Sequence, residues 1–248
     1  MRARPTVVID AFPDSAFRHR DDAAVACIDV MLATTTLATL AEEGRPAAVA
    51  ASADELRAVA RGLDDPVLAG SLPDVPDAAF EAKDGPCALL RLRPTSRPVV
   101  LASAPGTELV ANAAAAGPVL LACFRNLSAT ARALAGRRRV ALLAAGWHEE
   151  VSCEDQMAAA WVAARLLDAG FEAGDRHTAD VVRRWSGIPP ALAGWGNSAA
   201  QLRREGRGDE VEFVLSHVDD LEHACRCEGT RVFRDDAVPD LEAAGGAR

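Results

Sequence analysis

The sequence predicts an α/β fold: a three-layer α/β/α arrangement with a mostly parallel, mixed sheet and a helical C-terminal portion. Two observations carry the prediction. From Pro5 to Gly170, short β-like runs alternate with helical stretches, the pattern of βαβ units whose sheet is covered on both faces. From 174 to 215 the pattern turns mainly helical, broken by Pro189-Pro190 and by the turn Gly194–Asn197. No fixed-period repeat and no linker rich in Pro, Gly or Ser divides the chain. Residues 1–235 therefore read as one domain, and 236–248, ending Ala-Ala-Gly-Gly-Ala-Arg, as a loose tail.

Each element has its own signal. Residues 5–10 and 24–30 read as strands, the second ending at Asp29-Val30. Thr34 to Glu43 reads as a helix closed by Gly44. After a strand at 47–51, Ser52-Ala-Asp-Glu55 is a capping box, with Leu56, Val59 and Ala60 at helical spacing behind it. Strands are expected near 66–69, 87–92, 98–102, 118–123 and 139–145. Helices are expected at Thr107–Ala115, at Asn126–Ala135 and from 153 to 169, the last stopped by Gly170. One more strand is expected at 229–234.

Composition narrows the function. Half of the 248 residues are hydrophobic, enough for a core without disulfides or metal staples. The net charge is −9, from 27 basic and 36 acidic residues. Neutralising a phosphate backbone needs the opposite balance, so no nucleic-acid binding is expected. With no Tyr, platforms for stacking bases are scarce as well. The apolar run 109–124 is interrupted by Gly117 and Pro118, and 139–146 is too short to span a bilayer, so no membrane partner is expected. The apolar stretch after the basic start stops at Asp10, too early for a signal-peptide core, which makes cytoplasmic residence the expectation. The six cysteines are scattered, Cys225-x-Cys227 fits no common zinc knuckle, and reduced, mostly buried thiols are expected.

Ligands of an open parallel sheet bind beyond the carboxyl ends of its strands. Four strand-to-helix turns carry suitable chemistry. In the first, Asp29 is followed by Thr34-Thr35-Thr36 at a helix start, where free N–H groups and the positive dipole end suit phosphate. Asp29 could hold Mg²⁺ or act as a nucleophile; a helix cap and a solvated strand end account for the same residues without function. The second, Ser103-Ala-Pro-Gly106-Thr107, could bring backbone N–H groups to an anion, although Pro-Gly turns are common. The third, Arg125-Asn126, offers a guanidinium beside a good N-cap residue. The fourth runs from Gly146 through His148, Glu149 and Glu150 to Ser152, Glu154 and Asp155. Here a carboxylate could bind a divalent cation, or Asp155 could merely close a capping box with Ser152. No Gly-x-Gly-x-x-Gly, P-loop or Gly-x-Ser-x-Gly segment is present.

Taken in order, these turns resemble the 2-phosphosulfolactate phosphatase family over roughly residues 24–215. The family carries Asp-Val-hydrophobic-Arg-Ala-Thr-Thr-Thr, and this chain has Asp29-Val30-Met31-Leu32-Ala33-Thr34-Thr35-Thr36. Its Gly-Glu turn corresponds to Gly70-Ser71, and its Thr-Thr-Asn-Gly-Thr turn to Ser103-Ala104-Pro105-Gly106-Thr107. Its hydrophobic-x-x-Asn turn matches Cys123-Phe-Arg-Asn126. Its Gly and Glu-Asp pair ahead of a small-residue helix match Gly146 and Glu154-Asp155 with Ala158 to Ala160. Leu202-x-x-x-Gly206 and Glu210-Val211-x-Phe213 echo the closing segment. The departures are Leu32 for Arg, Ser71 for Glu, Ala104-Pro105 for Thr-Asn, and no legible counterpart of an Asn-Ser-Pro segment near 75–90.

The resemblance implies a Mg²⁺-dependent phosphomonoesterase that hydrolyses 2-phosphosulfolactate, or a related small phosphorylated acid, in coenzyme M synthesis. It implies catalytic roles for Asp29, Thr35 and Asn126. It implies substrate binding by Thr34, Thr36, Ser103, Gly106, Thr107 and Arg125, and Mg²⁺ binding by Asp29, Glu154 and Asp155. The expected partner is the small anionic substrate, and a homodimer is the default assembly. Losing a bidentate Arg clamp at Leu32 motivates a second reading: a catalytically impaired relative that binds an anionic ligand or a partner protein.

Overall fold

The computed structural model describes residues 4–147 and 150–235. Ten strands form one sheet: β1 (Thr6–Ala11), β2 (Ala24–Ile28), β3 (Ala47–Val49), β4 (Val67–Ser71), β5 (Val99–Ser103), β6 (Val119–Ala122), β7 (Arg139–Ala144), β8 (Glu172–Ala173), β9 (Ala224–Glu228) and β10 (Arg231–Asp235). The helices are α1 (Ala16–His19), α2 (Ala33–Glu42), α3 (Ala53–Arg61), α4 (Pro86–Leu90), α5 (Gly106–Ala114), α6 (Leu127–Leu134), α7 (Cys153–Asp168), α8 (Arg176–Trp185), α9 (Asn197–Arg204) and α10 (Gly208–Ser216). The expected tail 236–248, together with His148 and Glu149, lies outside the described residues.

The strand order is β4-β5-β3-β10-β9-β6-β2-β7-β1-β8. It comprises two parallel blocks, β4-β5-β3 and β6-β2-β7-β1-β8. The antiparallel hairpin β9–β10 is laid between them. Three antiparallel pairings in succession make the blocks run in opposite senses. Their carboxyl ends still meet at one cleft, because the sheet wraps around α2 and α5: both helices contact strands of both blocks. The usual twist of roughly 20–25° per strand pair, accumulated over the steps from β5 to β2, acts in the same sense.

Alternating side chains of the central strands feed two cores. Val25 and Cys27 of β2 and Ala141 and Leu143 of β7 pack with Leu37, Leu40, Leu109 and Val110 of α2 and α5. Ala26, Ile28, Val140 and Leu142 face the other layer, with Leu127, Leu134, Met157, Val162 and Leu166 of α6 and α7. A smaller core joins Leu56 of α3 to Val100 and Ala102 of β5. The three layers are those expected from the sequence.

Two local expectations are corrected. Residues 87–92 are not a strand; they belong largely to α4, which starts with Pro86 at its first position, where the missing N–H is no loss. The Glu210 carboxylate then accepts from the Cys87 and Ala88 amides, at 2.9 and 3.0 Å, so a residue far along the chain satisfies this helix start. The second correction is β9, which precedes the expected last strand and pairs with it as a hairpin.

Candidate active site

β2 ends in Ile28 and hands Asp29 to the loop before α2. Asp29 is buried, at 6% exposure, yet it lines a cleft of about 1250 Å³. The three threonines that follow hold this loop. The Asp29 amide donates to Thr34 Oγ1 at 2.9 Å, and the Thr34 hydroxyl lies 2.6 Å from the Asp29 carbonyl and 2.8 Å from that of Ala122. Thr35 Oγ1 donates to the Val30 carbonyl at 2.8 Å, and Thr36 Oγ1 to the Asp84 carbonyl at 2.6 Å. All three hydroxyls are thus engaged with backbone, and none caps the helix. The Ala33 amide at the start of α2 is bonded to the Asp29 carboxylate itself.

From the other block, β5 ends in Ser103 and turns through Ala104-Pro105 into α5. The Ser103 amide donates to Thr107 Oγ1 at 3.0 Å, which closes the turn. Gly106 lies so close to Asp29 that a Cβ built on it would fall 1.9 Å from Asp29 Oδ2. Only a residue without a side chain fits there.

β7 leads to Gly146, and α7 presents Glu154 and Asp155, both buried. Asp155 does not close a capping box with Ser152, whose Oγ has no hydrogen-bond partner. Its Oδ1 accepts from the Val30 amide at 2.8 Å and its Oδ2 from the Gly146 amide at 3.3 Å. Asp155 therefore staples the β2 and β7 loops together. Glu154 Oε2 accepts from the Cys153 thiol, while its Oε1 is buried with no partner.

Charge is concentrated here. Burial, then Asp84 and Glu154, push the Asp29 carboxyl up to about 7. Burial, then Asp29 and Glu154, raise Asp155 as well. Among the described residues, no group of three or more His, Cys, Asp or Glu encloses a metal-sized space. Mg²⁺ needs less than that: it commonly takes one or two carboxylates and fills its octahedron with water and phosphate. Asp29 and the unpartnered Oε1 of Glu154 fit that requirement; both oxygens of Asp155 are engaged by amides.

Asn126 and Arg125 sit to one side. Asn126 does not cap α6; its Oδ1 accepts from the Cys123 amide at 3.0 Å and its Nδ2 donates to the Leu121 carbonyl at 2.9 Å, which fixes the end of β6. Arg125 pairs with Asp220 at 2.7 Å and donates to Thr39 Oγ1 at 2.9 Å. Its guanidinium is directed at these groups, not at the cleft.

Asp84 and Arg207 are cleft residues that the sequence reading did not single out. Asp84 accepts from Ser103 Oγ at 2.5 Å and from Arg207 Nη2 at 2.6 Å, and both Asp84 and Arg207 line the cleft. Asp84-Gly85-Pro86 occupies the stretch where the Asn-Ser-Pro segment had no counterpart; the shared Pro was the available signal. Leu32, Ser71, Ala104 and Pro105, the other departures, all line the same cleft.

Carboxylates and two helix starts gathered at strand ends around a solvent-open cleft give this α/β protein an enzyme-like site suited to an anionic ligand. A sequence profile of the 2-phosphosulpholactate phosphatases matches residues 11–218, and the chain belongs to that family. It is 32% identical over 212 residues to a probable 2-phosphosulfolactate phosphatase of Deinococcus radiodurans, covering 83% of this chain and 87% of the relative. It is 30% identical to proteins of the same name from Parasynechococcus marenigrum, over 86% and 88% of the two chains, and from Synechococcus sp. strain CC9605, over 82% and 87%. No helix among the described residues is long and apolar enough to cross a membrane.

Proposed function

We propose that this chain is a Mg²⁺-dependent phosphatase that hydrolyses 2-phosphosulfolactate, or a related small phosphorylated acid, to the hydroxy acid and phosphate. The observation that carries the reading is the meeting of Asp29 with the Gly106 turn, which joins a carboxylate and two helix N-termini in one cleft. In this reading the phosphoryl group lies between the first turns of α2 and α5, whose dipoles favour a dianion. Asp29 and Glu154 would hold Mg²⁺, which when bound supplies a Lewis acid that polarises the ester and offsets its charge. Asp155 keeps the Asp29 and Gly146 loops in register, and Thr34, Thr35 and Thr36 keep the Asp29 loop rigid, so the site is organised before substrate arrives. Asn126 positions the neighbouring strand end. Residence in the cytoplasm, a homodimeric state and the absence of nucleic-acid binding belong to the same proposal.

The test is phosphate release from a panel of phosphorylated hydroxy acids, including 2-phosphosulfolactate, with Mg²⁺ and with EDTA. Release that requires Mg²⁺ and is lost in Asp29→Ala supports the reading. A specific observation keeps a second reading in view: Leu32, Ser71 and Pro105 line the cleft where the resembling pattern has Arg, Glu and Asn. A folded protein that releases no phosphate, yet is stabilised against heat by a phosphorylated acid, would be a non-catalytic binder.

A further inference from the structure

Phe12 is held in a backbone conformation, φ +73° and ψ 152°, that residues bearing a Cβ rarely adopt. Strain of this kind persists where the surroundings fix it, and it gathers at ligand sites. Here the surroundings are three adjacent strand ends. Ala11 of β1 and Ile28 of β2 both lie opposite Ala144 of β7. Phe12 and Asp29, each one residue further on, therefore flank the same extension of β7. The Phe12 amide donates to the Ala144 carbonyl at 2.8 Å, and the Ala145 amide to the Ile28 carbonyl at 2.8 Å. Two strand spacings, roughly 10 Å, separate the Phe12 and Asp29 backbones.

The Phe12 ring lies on Gly146. A Cβ built on that glycine, whose own φ is +78°, would fall 2.9 Å from the ring atoms Cδ1 and Cε1, so the contact needs a residue without a side chain. Trp147 comes next, and its indole N–H donates to Gln201 Oε1 at 3.1 Å, which fixes the orientation of a second ring. Both aromatic residues line the cleft and are partly exposed. The Phe12 ring belongs to none of the three cores. Core packing therefore does not account for the strained turn, whereas presenting a ring to the cleft does.

We infer that Phe12 and Trp147 form an apolar subsite of the Asp29 cleft, which takes an aryl group on the alcohol side of a phosphomonoester, so that the protein hydrolyses such esters as a further activity. The inference rests on the phosphatase reading of this cleft. With the phosphoryl group at Asp29 and the starts of α2 and α5, the alcohol part runs along Ala145 and Gly146 to the rings. An aryl group gains there by leaving water and by offset or edge contact with an aromatic partner. The step is a hydrolysis: a water oxygen bonds to phosphorus, the ester P–O bond breaks, and one proton of that water ends on the departing alcohol.

The probes are benzyl phosphate and ethyl phosphate, two alkyl esters that differ by the ring. The protein is expected to hydrolyse benzyl phosphate with a KM about tenfold lower, the gain from burying one phenyl group. Phe12→Ala should raise KM for benzyl phosphate about tenfold and move KM for ethyl phosphate and 2-phosphosulfolactate far less. Phe12→Tyr, which keeps the ring, should keep the preference. Phe12→Gly should lose the preference as Phe12→Ala does, yet unfold at a higher Tm than Phe12→Ala, because glycine relieves the strain. Equal KM for the two esters, or an equal rise for all three substrates in Phe12→Ala, overturns the subsite. Release from 2-phosphosulfolactate alone does the same and leaves the phosphatase reading standing. Release from none of the three sinks that reading. The subsite then stands if benzylphosphonate stabilises the protein against heat more than ethylphosphonate does and Phe12→Ala removes the difference; no difference overturns it.

Discussion

Gly106 and Asp29 meet across the cleft at a distance that leaves no room for a methyl group. The contact joins the end of β2 in one parallel block to the start of α5 after β5 in the other. Gly106→Ala should therefore push Asp29 aside or lift the α5 turn. A displacement of this order costs about 10²-fold in rate when it moves a reacting group. Steady-state phosphate release should show that loss in kcat/KM, and thermal unfolding should show a lower Tm.

Asp29 should make the metal-free protein sensitive to pH. Its folded pKa of about 7 lies above the ordinary 3.8, so between these values the native state binds more protons than the unfolded one. Stability in EDTA should then be greatest near the lower value and fall as pH rises through the upper one. Asp155, raised by the same surroundings, acts in the same direction. Asp29→Asn should flatten the profile and raise Tm at pH 8 in EDTA, while abolishing phosphate release. A steeper fall in the variant would contradict this account of the site.

Asp155 holds two buried amides, those of Val30 and Gly146. Replacing it with Ala should cost about 1–3 kcal/mol for each amide left without a partner. Urea unfolding measures this, and Asp155→Asn, which keeps one acceptor oxygen, should lose less.

Arg125 is bound to Asp220 and Thr39. Arg125→Ala should lower stability by about 3 kcal/mol, the cost of breaking a largely buried pair, with KM for the phosphorylated substrate unaffected. A rise in KM without loss of stability would return Arg125 to the substrate.

Most of the scaffold was legible because its signals are local. The alternation of strands and helices, the Ser52 capping box and Gly170 after α7 each depend on a few adjacent residues. The errors fall where partners are distant. Residues 87–92 are apolar enough for a strand, but Glu210 secures the helix start from another part of the chain. Asp155 has capping spacing to Ser152, yet the Val30 and Gly146 amides take its oxygens. Asp29 and the Gly106 turn could be picked out by type and spacing. Asp84 and Arg207 could not, since loop residues carry no periodicity and these two join Ser103 only when three segments meet.

The β9–β10 hairpin has a consequence for how the protein is made. The hairpin that closes the middle of the sheet is made after the eight strands it joins. Until it arrives, β3 and β6 expose bare edges flanked by buried apolar strands, the kind of surface on which nascent chains stick to one another. The sheet is built from its two flanks and finished at its centre. A chain stopped before Ala224 would therefore leave two half-sheets without a join.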